Sequence, residues 1–188
     1  MSAPTNLTLG SGKLYVKALA SETDIGALST YCTDGNQLGW IQGGCSINYT
    51  PSTYDVKDDL GAVSEHFITS ETVTMSSGIL TWNLDVLEKL INNETTGTIP
   101  ATSTTGSIDY VEIGGSGLTT MDKYIVVFEA EPDTAGKIRR FGLVGTCDSG
   151  LALAYQPSSE TAVNVQFNAI AFGTNHKLLR IEEQNPLT

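Results

Sequence analysis

Two histidines, three cysteines and one pair of adjacent aspartates are the residues of this chain whose types could do chemistry. Zinc sites draw on closely spaced ligand pairs such as Cys-x2–4-Cys. Cys32, Cys45 and Cys147 are scattered, and His66 and His176 lie far apart, so neither a metal nor any other cofactor is expected. A Ser- or Cys-His nucleophile needs a base oriented by a third group, and no Gly-x-Ser-x-Gly elbow is present to supply one. Asp58 and Asp59 are adjacent, and adjacent carboxylates rarely converge on one substrate. The stretch around them also lacks the alternating oxygen ligands of a calcium loop. Gly114-Gly115-Ser116-Gly117 has no lysine and opens no helix, so it reads as a turn rather than a phosphate cradle. The expectation is a protein that is not an enzyme.

Composition narrows the remaining classes. The chain has 188 residues, which suits one domain spanning 1–188. Charged residues make up 16%, well below the usual share of about 25%. Thr, Ser and Gly fill the gap and, with Val and Ile, point to strands and turns. The formal charge is −11, from 21 acidic and 10 basic residues. Binding to nucleic acid through phosphates needs clustered cations, and the nearest cluster, Lys137, Arg139 and Arg140, has acidic neighbours in Glu129, Glu131 and Asp133. The first nine residues carry neither a charged nor an apolar signal-like region, and no apolar run approaches the roughly 18 residues of a membrane span. With no export signal in view, the odd number of cysteines is expected to be reduced thiols in packed positions.

The elements that would position these residues are mostly strands. Residues 13–19 alternate, with Leu14, Val16 and Ala18 on one face. Residues 22–39 lack a clear period and read mostly as loop. Cys45, Ile47 and Tyr49 alternate with polar neighbours after Gly43-Gly44, and 66–77 places Phe67, Val73 and Met75 on one face. Four further strands are expected at 107–113, 124–131, 137–147 and 162–172, the second of them apolar on both faces. One helix is expected over 83–92, with Asn83 as its N-cap, Asp85–Lys89 as a favourable pair, and a core stripe of Leu84, Leu87, Leu90 and Ile91. Residues 93–107 read as a connector and 177–188 as a charged C-terminal arm. Trp40 and Trp82 flank strand and helix starts, where core or interface roles are expected. Between the second and third strands, 51–65 is polar, acid-rich and long for a connection between neighbouring strands, which marks it as a purposeful loop.

The segments Gly43-Gly44-Cys45-Ser46-Ile47-Asn48-Tyr49, Tyr54-Asp55-Val56-Lys57-Asp58-Asp59-Leu60-Gly61, Glu71-Thr72-Val73 and Ser77-Gly78-Ile79-Leu80-Thr81-Trp82-Asn83 follow one another in order. Together with Gly10-Ser11-Gly12-Lys13-Leu14-Tyr15 and Arg139-Arg140-Phe141-Gly142-Leu143-Val144-Gly145, they resemble the major tail tube protein of long-tailed bacteriophages. The resemblance covers most of the chain and is sharpest over 43–83. It departs at Cys45, where a smaller residue would be expected, although Cys packs as a small hydrophobe.

The resemblance implies a mainly β fold of two packed sheets, sandwich- or barrel-like, with one flanking helix. It implies a structural virion protein whose subunits form stacked, six-membered rings around a tape-measure protein, closed by tail-end proteins. DNA would pass through the tube without being bound, consistent with a like-charged wall. The tail of the virion would be the location, after assembly in the host cytoplasm, with no membrane partner. The loop at 51–67, with Tyr54, Asp55, Lys57, Asp58 and Asp59, would stack ring on ring. The alternative is a non-enzymatic binding module, a virion decoration domain or a carbohydrate-binding β-sandwich, for which a row of exposed aromatics is expected.

Overall fold

The computed structural model describes residues 11–57, 59, 64–80, 83–91, 94–115, 120–150 and 162–186. The first ten residues, Asp58, Trp82, Ser116-Gly117 of the glycine turn and the last two residues of the C-terminal segment, all named above, lie outside them.

Among the described residues there are nine strands and one α-helix. In order they are β1 (Gly12–Ala18), β2 (Ile41–Lys57), β3 (Ser64–Ile79), α1 (Leu84–Glu88), β4 (Glu94–Ile99), β5 (Ile108–Ile113), β6 (Tyr124–Ala130), β7 (Ile138–Cys147), β8 (Val163–Ala169) and β9 (Arg180–Gln184). Seven strands form one antiparallel sheet in the order β1-β6-β7-β8-β3-β2, with β9 on the edge of β7 beside β8. The other two, β4 and β5, pair as a separate ribbon. The fold is mainly β with a large sheet, a small sheet and one helix, as expected.

The large sheet curls on itself, which is why one face becomes a core. Alternation along β1, β6, β8 and β3 sends Leu14, Val16, Val126, Phe128, Val163, Val165, Phe167, Val73 and Met75 into one buried cluster. The two ends of the sheet meet across the stretch before β2. Leu38 N donates to Leu14 O at 2.8 Å, and Leu80 N donates to Trp40 O at 2.8 Å. This seam makes the sheet barrel-like. Gly43 and Gly44, both with positive φ, form a bulge where β2 turns into the seam (Gln42 pairs Gly78, but Cys45 pairs Ser77).

A second cluster covers the other face of β6 and β7. It contains Tyr15, Ile125, Val127 and Val144 under Leu28 and Tyr31 of a 3-10 turn, Leu28–Tyr31. The region expected to be mostly loop, 22–39, is therefore a structural cover with Leu28, Tyr31 and Leu38 buried. Gly142 permits this, since a Cβ there would lie 2.3 Å from Leu28 Cδ2. β6, buried on both faces, is the apolar strand that its sequence predicts.

The helix is shorter than expected. Asn83 caps it by accepting from Val86 N at 2.9 Å, but it ends at Glu88, and Leu90 and Ile91 are buried in the turn beyond. Val86 and Leu90 join the main core, and Leu87 is buried, while Leu84 is only half-buried. Lys89 reaches across to Gly35 O at 3.4 Å, so the expected Asp85–Lys89 pair is replaced by a tertiary contact. The connector at 93–107 is corrected too: its first half is β4, paired with β5 through Glu94–Ile113 to Ile99–Ile108. Its Thr- and Gly-rich sequence carries no apolar period, so only the partner strand identifies it.

Candidate functional site

The described residues of the loop expected at 51–67 are strand, apart from Asp59. Residues 51–57 continue β2 and 64–67 begin β3, and the two strands pair from Tyr49–Val73 out to Lys57–Ser64. Between Lys57 and Ser64 only Asp59 is described, as a turn residue. A polar strand lacks the alternation that reveals a half-buried one, which is why its sequence reads as loop.

The third strand stops early. β8 pairs β3 only from Thr74 to Ile79, so among the described residues the two strands pair beyond Val73 with each other alone. From Tyr49 to Lys57 on β2, and from Glu65 to Thr72 on β3, every residue is exposed. Nine residues of β2 at about 3.3 Å each give an arm roughly 30 Å long. Among the described residues neither edge of this two-stranded ribbon is paired, and such a ribbon by itself is marginally stable in water.

One extra residue decides what the arm presents. Ser52 pairs Ser70 but Thr53 pairs Ile68, so Thr69 is a bulge, held by its hydroxyl donating to Ser52 O at 3.1 Å. A bulge shifts the alternation of its strand by one. Val73 and Met75 therefore face the core, whereas Phe67 falls on the opposite face, opposite Tyr54. The expected shared face of Phe67, Val73 and Met75 is broken by this bulge.

The distal arm consequently has two unlike faces. Tyr54, Phe67 and Val56 cluster on the side turned away from the core face, and are 62%, 52% and 42% exposed. The other side carries Ile68, the Asp55–His66 hydrogen-bonded pair and, nearer the root, Tyr49, whose hydroxyl donates to Glu71 Oε1 at 2.5 Å. That hydrogen bond raises the Tyr49 pKa above its ordinary value, because deprotonation would break it. Of the expected stacking residues, Tyr54, Asp55 and Lys57 thus sit on the arm and Asp59 at its turn, but on different faces. Phe67, Val56 and Ile68 were missing from that set. The period-2 signal that could have found them was hidden by the bulge.

The groups that could do covalent chemistry are placed elsewhere. Burial pushes the Cys45 thiol up to about 12 and the Cys32 thiol up to about 11, and raises Cys147 as well. These are thiols, not nucleophilic thiolates, at neutral pH, and none forms a disulfide. His66 and His176 lie on different elements, and His66 is exposed. Among the described residues no group of three His, Cys, Asp or Glu is arranged to hold a metal. No described helix is long and apolar enough to cross a membrane. Two open clefts, each about 520 Å³, lie between α1 and the β4–β5 ribbon and beside the exposed Trp40. The first is lined by Asp85, Glu88, Asp109, Tyr110 and threonines, with the Thr98 hydroxyl donating to Asp109 Oδ1 at 2.7 Å.

The basic cluster is spent inside the chain. Lys137 and Arg139 both pair with Glu183, Arg139 also reaches Asp133, and Arg140 pairs with Glu129. No family model matches the chain, and no curated protein matches it.

Proposed function

We propose that the chain is a structural, self-assembling protein, a subunit of a hollow tube of the tail-tube kind, whose rings stack through the β2–β3 arm. The observation that carries this reading is the arm itself. It extends past the third strand, contributes nothing to the core beyond Val73, and holds Tyr54, Val56 and Phe67 in water. A lone subunit gains nothing from exposing that face, whereas a second copy seated on it would bury the apolar side chains and pair the free edges. Closed rings, six-membered by resemblance, follow from continuing the sheet of one subunit into the next. A tape-measure protein inside, tail-end proteins at the tips and a place in the virion tail after assembly in the host cytoplasm complete the reading.

Charge supports a conduit rather than a holder of DNA. Acidic residues outnumber basic ones 21 to 10, and Lys17, Lys137, Arg139, Arg140 and Arg180 are committed to internal ion pairs. Phosphates find few unpaired cations, so counterion release gives little gain. No cofactor, catalytic group or membrane partner belongs to this function.

The test shortens the arm. Replacing residues 51–71 with a short Gly/Ser turn joins Thr50 to Thr72, which already pair. Loop-closure entropy changes by only about 0.6 kcal/mol per doubling of length, so the barrel should melt as before. Concentrated wild-type protein should give rings or tubes of uniform width by electron microscopy, and the shortened variant should not give long tubes. A wild-type chain that stays monomeric at every concentration and salt would overturn the proposal and favour the rival binding module. Tyr54 and Phe67 pair on one face of the arm, while the exposed Trp40 and Tyr110 lie on other parts of the chain, so these four do not form the single row that the rival calls for.

A further inference from the structure

The C-terminal segment, expected to be an arm, is docked. β9 pairs with β7 from Ile138–Gln184 to Gly142–Arg180 and covers the stretch of β7 edge that β8 leaves open. Its hold is unlike that of any other strand in the sheet. Four of its five residues are exposed and Glu182 is half-buried, and Ile181, its one apolar residue, is 61% exposed. Apolar burial therefore contributes little.

Charges and polar contacts hold it instead, on both faces of the ladder. On one face, Glu183 accepts from Lys137 Nζ at 2.8 Å and Arg139 Nε at 2.9 Å. On the other, Arg140 donates to Gln184 at 2.6 Å and to Glu129 of β6, while Glu182 accepts from Leu28 N at 3.0 Å and from Arg180. Arg180 also donates to Ile25 O at 3.1 Å. Immediately before the strand, Leu178 and Leu179 pack against the main core. The chain is thus anchored by apolar contact up to Leu179 and by polar contact after it.

We propose that β9 is an ion-pair-held strap that opens independently of the barrel, and that while closed it shields the β7 edge from pairing with a second copy of this chain. Opening breaks a five-residue ladder and the partly exposed pairs of Glu183 with Lys137 and Arg139, but leaves both apolar clusters intact. It bares the backbone of 138–142, an edge that would otherwise template strand addition. The second half of the proposal rests on the self-assembly reading above, and the occupant of the bared edge is another copy.

Exposed ion pairs weaken as salt screens them, whereas buried apolar contacts do not. Hydrogen–deuterium exchange read by mass spectrometry separates the two. Between low salt and about 1 M salt, amides of 180–184 and of 138–142 should exchange roughly tenfold faster, while those of 125–128 stay unchanged. Glu183→Gln should produce the same change at low salt. Exchange of 180–184 only in step with 125–128 would mean that β9 leaves only when the whole chain unfolds, and would overturn the strap.

Sedimentation velocity tests the shielding. A full-length chain carrying Glu182→Lys and Glu183→Lys places β9 against Lys137 and Arg139 with the wrong sign. With unchanged exchange at 125–128 as the check on folding, it should associate at lower concentration than wild type. Association no greater than wild type, in this variant and in Glu183→Gln, would overturn the shielding. These readings are separable from the tube proposal, which stands or falls on whether wild type assembles at all.

Discussion

β2 and β3 pass through two regions of the molecule, and the same ladder behaves differently in each. At the barrel, Val73 and Met75 of β3 are 2% and 0% exposed, because β8 pairs on one side and the curled sheet closes over them. A few residues further out the third strand has ended, and Tyr54 and Phe67 of the same two strands stand in water. Strand pairing continues throughout, but the hydrophobic term operates only at the barrel. The difference shows that backbone pairing extends an element, whereas a neighbouring layer is what makes it stable. A segment paired without such a layer is available for a partner.

Substitutions should separate the two regions sharply. The largest effect belongs to Phe167, fully buried at the centre of the main core. Phe167→Ala should cost about 3–5 kcal/mol in chemical denaturation. A loss below about 1 kcal/mol would mean that the core collapses around the gap and that the contrast with the arm is overstated.

Gly142→Ala comes next. The added methyl would meet the Leu28 side chain well inside contact distance, so overpacking of about 1–3 kcal/mol is expected. Leu28→Ala in the same chain should recover part of the loss to steric strain, which a double-mutant cycle measures.

Acid should act on the polar strap before the barrel. Hydrogen bonds from Lys137 and Arg139 hold the Glu183 carboxyl below its ordinary range. The backbone N–H of Lys137 does the same for Asp133, helped by Ala135 N–H and the Arg139 charge. Carboxyl groups lowered by folding stabilise the folded form fully above their unfolded values, near 4. That contribution is lost as pH falls through the lowered values. The other charges facing the strap are Arg140 on β7, Glu129 on β6, Asp24 near Arg180, and Glu182 and Arg180 on the strap itself. Exchange of the 180–184 amides should therefore quicken below about pH 4 while that of 125–128 does not.

The smallest effect on stability belongs to the arm. Tyr54→Ser with Phe67→Ser should change the melting of the lone subunit by no more than about 0.5 kcal/mol, as expected for exposed positions. The same pair should abolish long tubes by electron microscopy. A large stability loss would place these side chains in the core of the fold.

Much of the barrel was legible because its strands obey simple periods. β8 alternates, β6 is apolar from Tyr124 to Phe128, and Asn83 announces a helix through the hydrogen bond that it makes. The candidate site was legible only in outline. Its place between two strands, its length and its acidity, five acids to one lysine over 51–71, stand in the sequence. Its strand character does not, because a polar ribbon exposed on both faces has no inside to imprint a pattern.

By itself, then, the sequence determined the β class, the lone helix, the strands whose alternation faces a core, and an excess of acid over base. These are local or compositional properties, readable wherever burial imposes a period. Tertiary structure alone decided that 51–57 and 64–67 are strands, that β4 finds β5, and that 180–184 closes onto β7. It also decided that Thr69 turns Phe67 away from the core. Each of these depends on a partner remote in sequence: Arg139 meets Glu183 across 44 positions, and Leu28 meets Glu182 across 154. Backbone hydrogen bonds and ion pairs are satisfied by whichever segment the folded chain brings near, so they leave no periodic trace in the residues that make them.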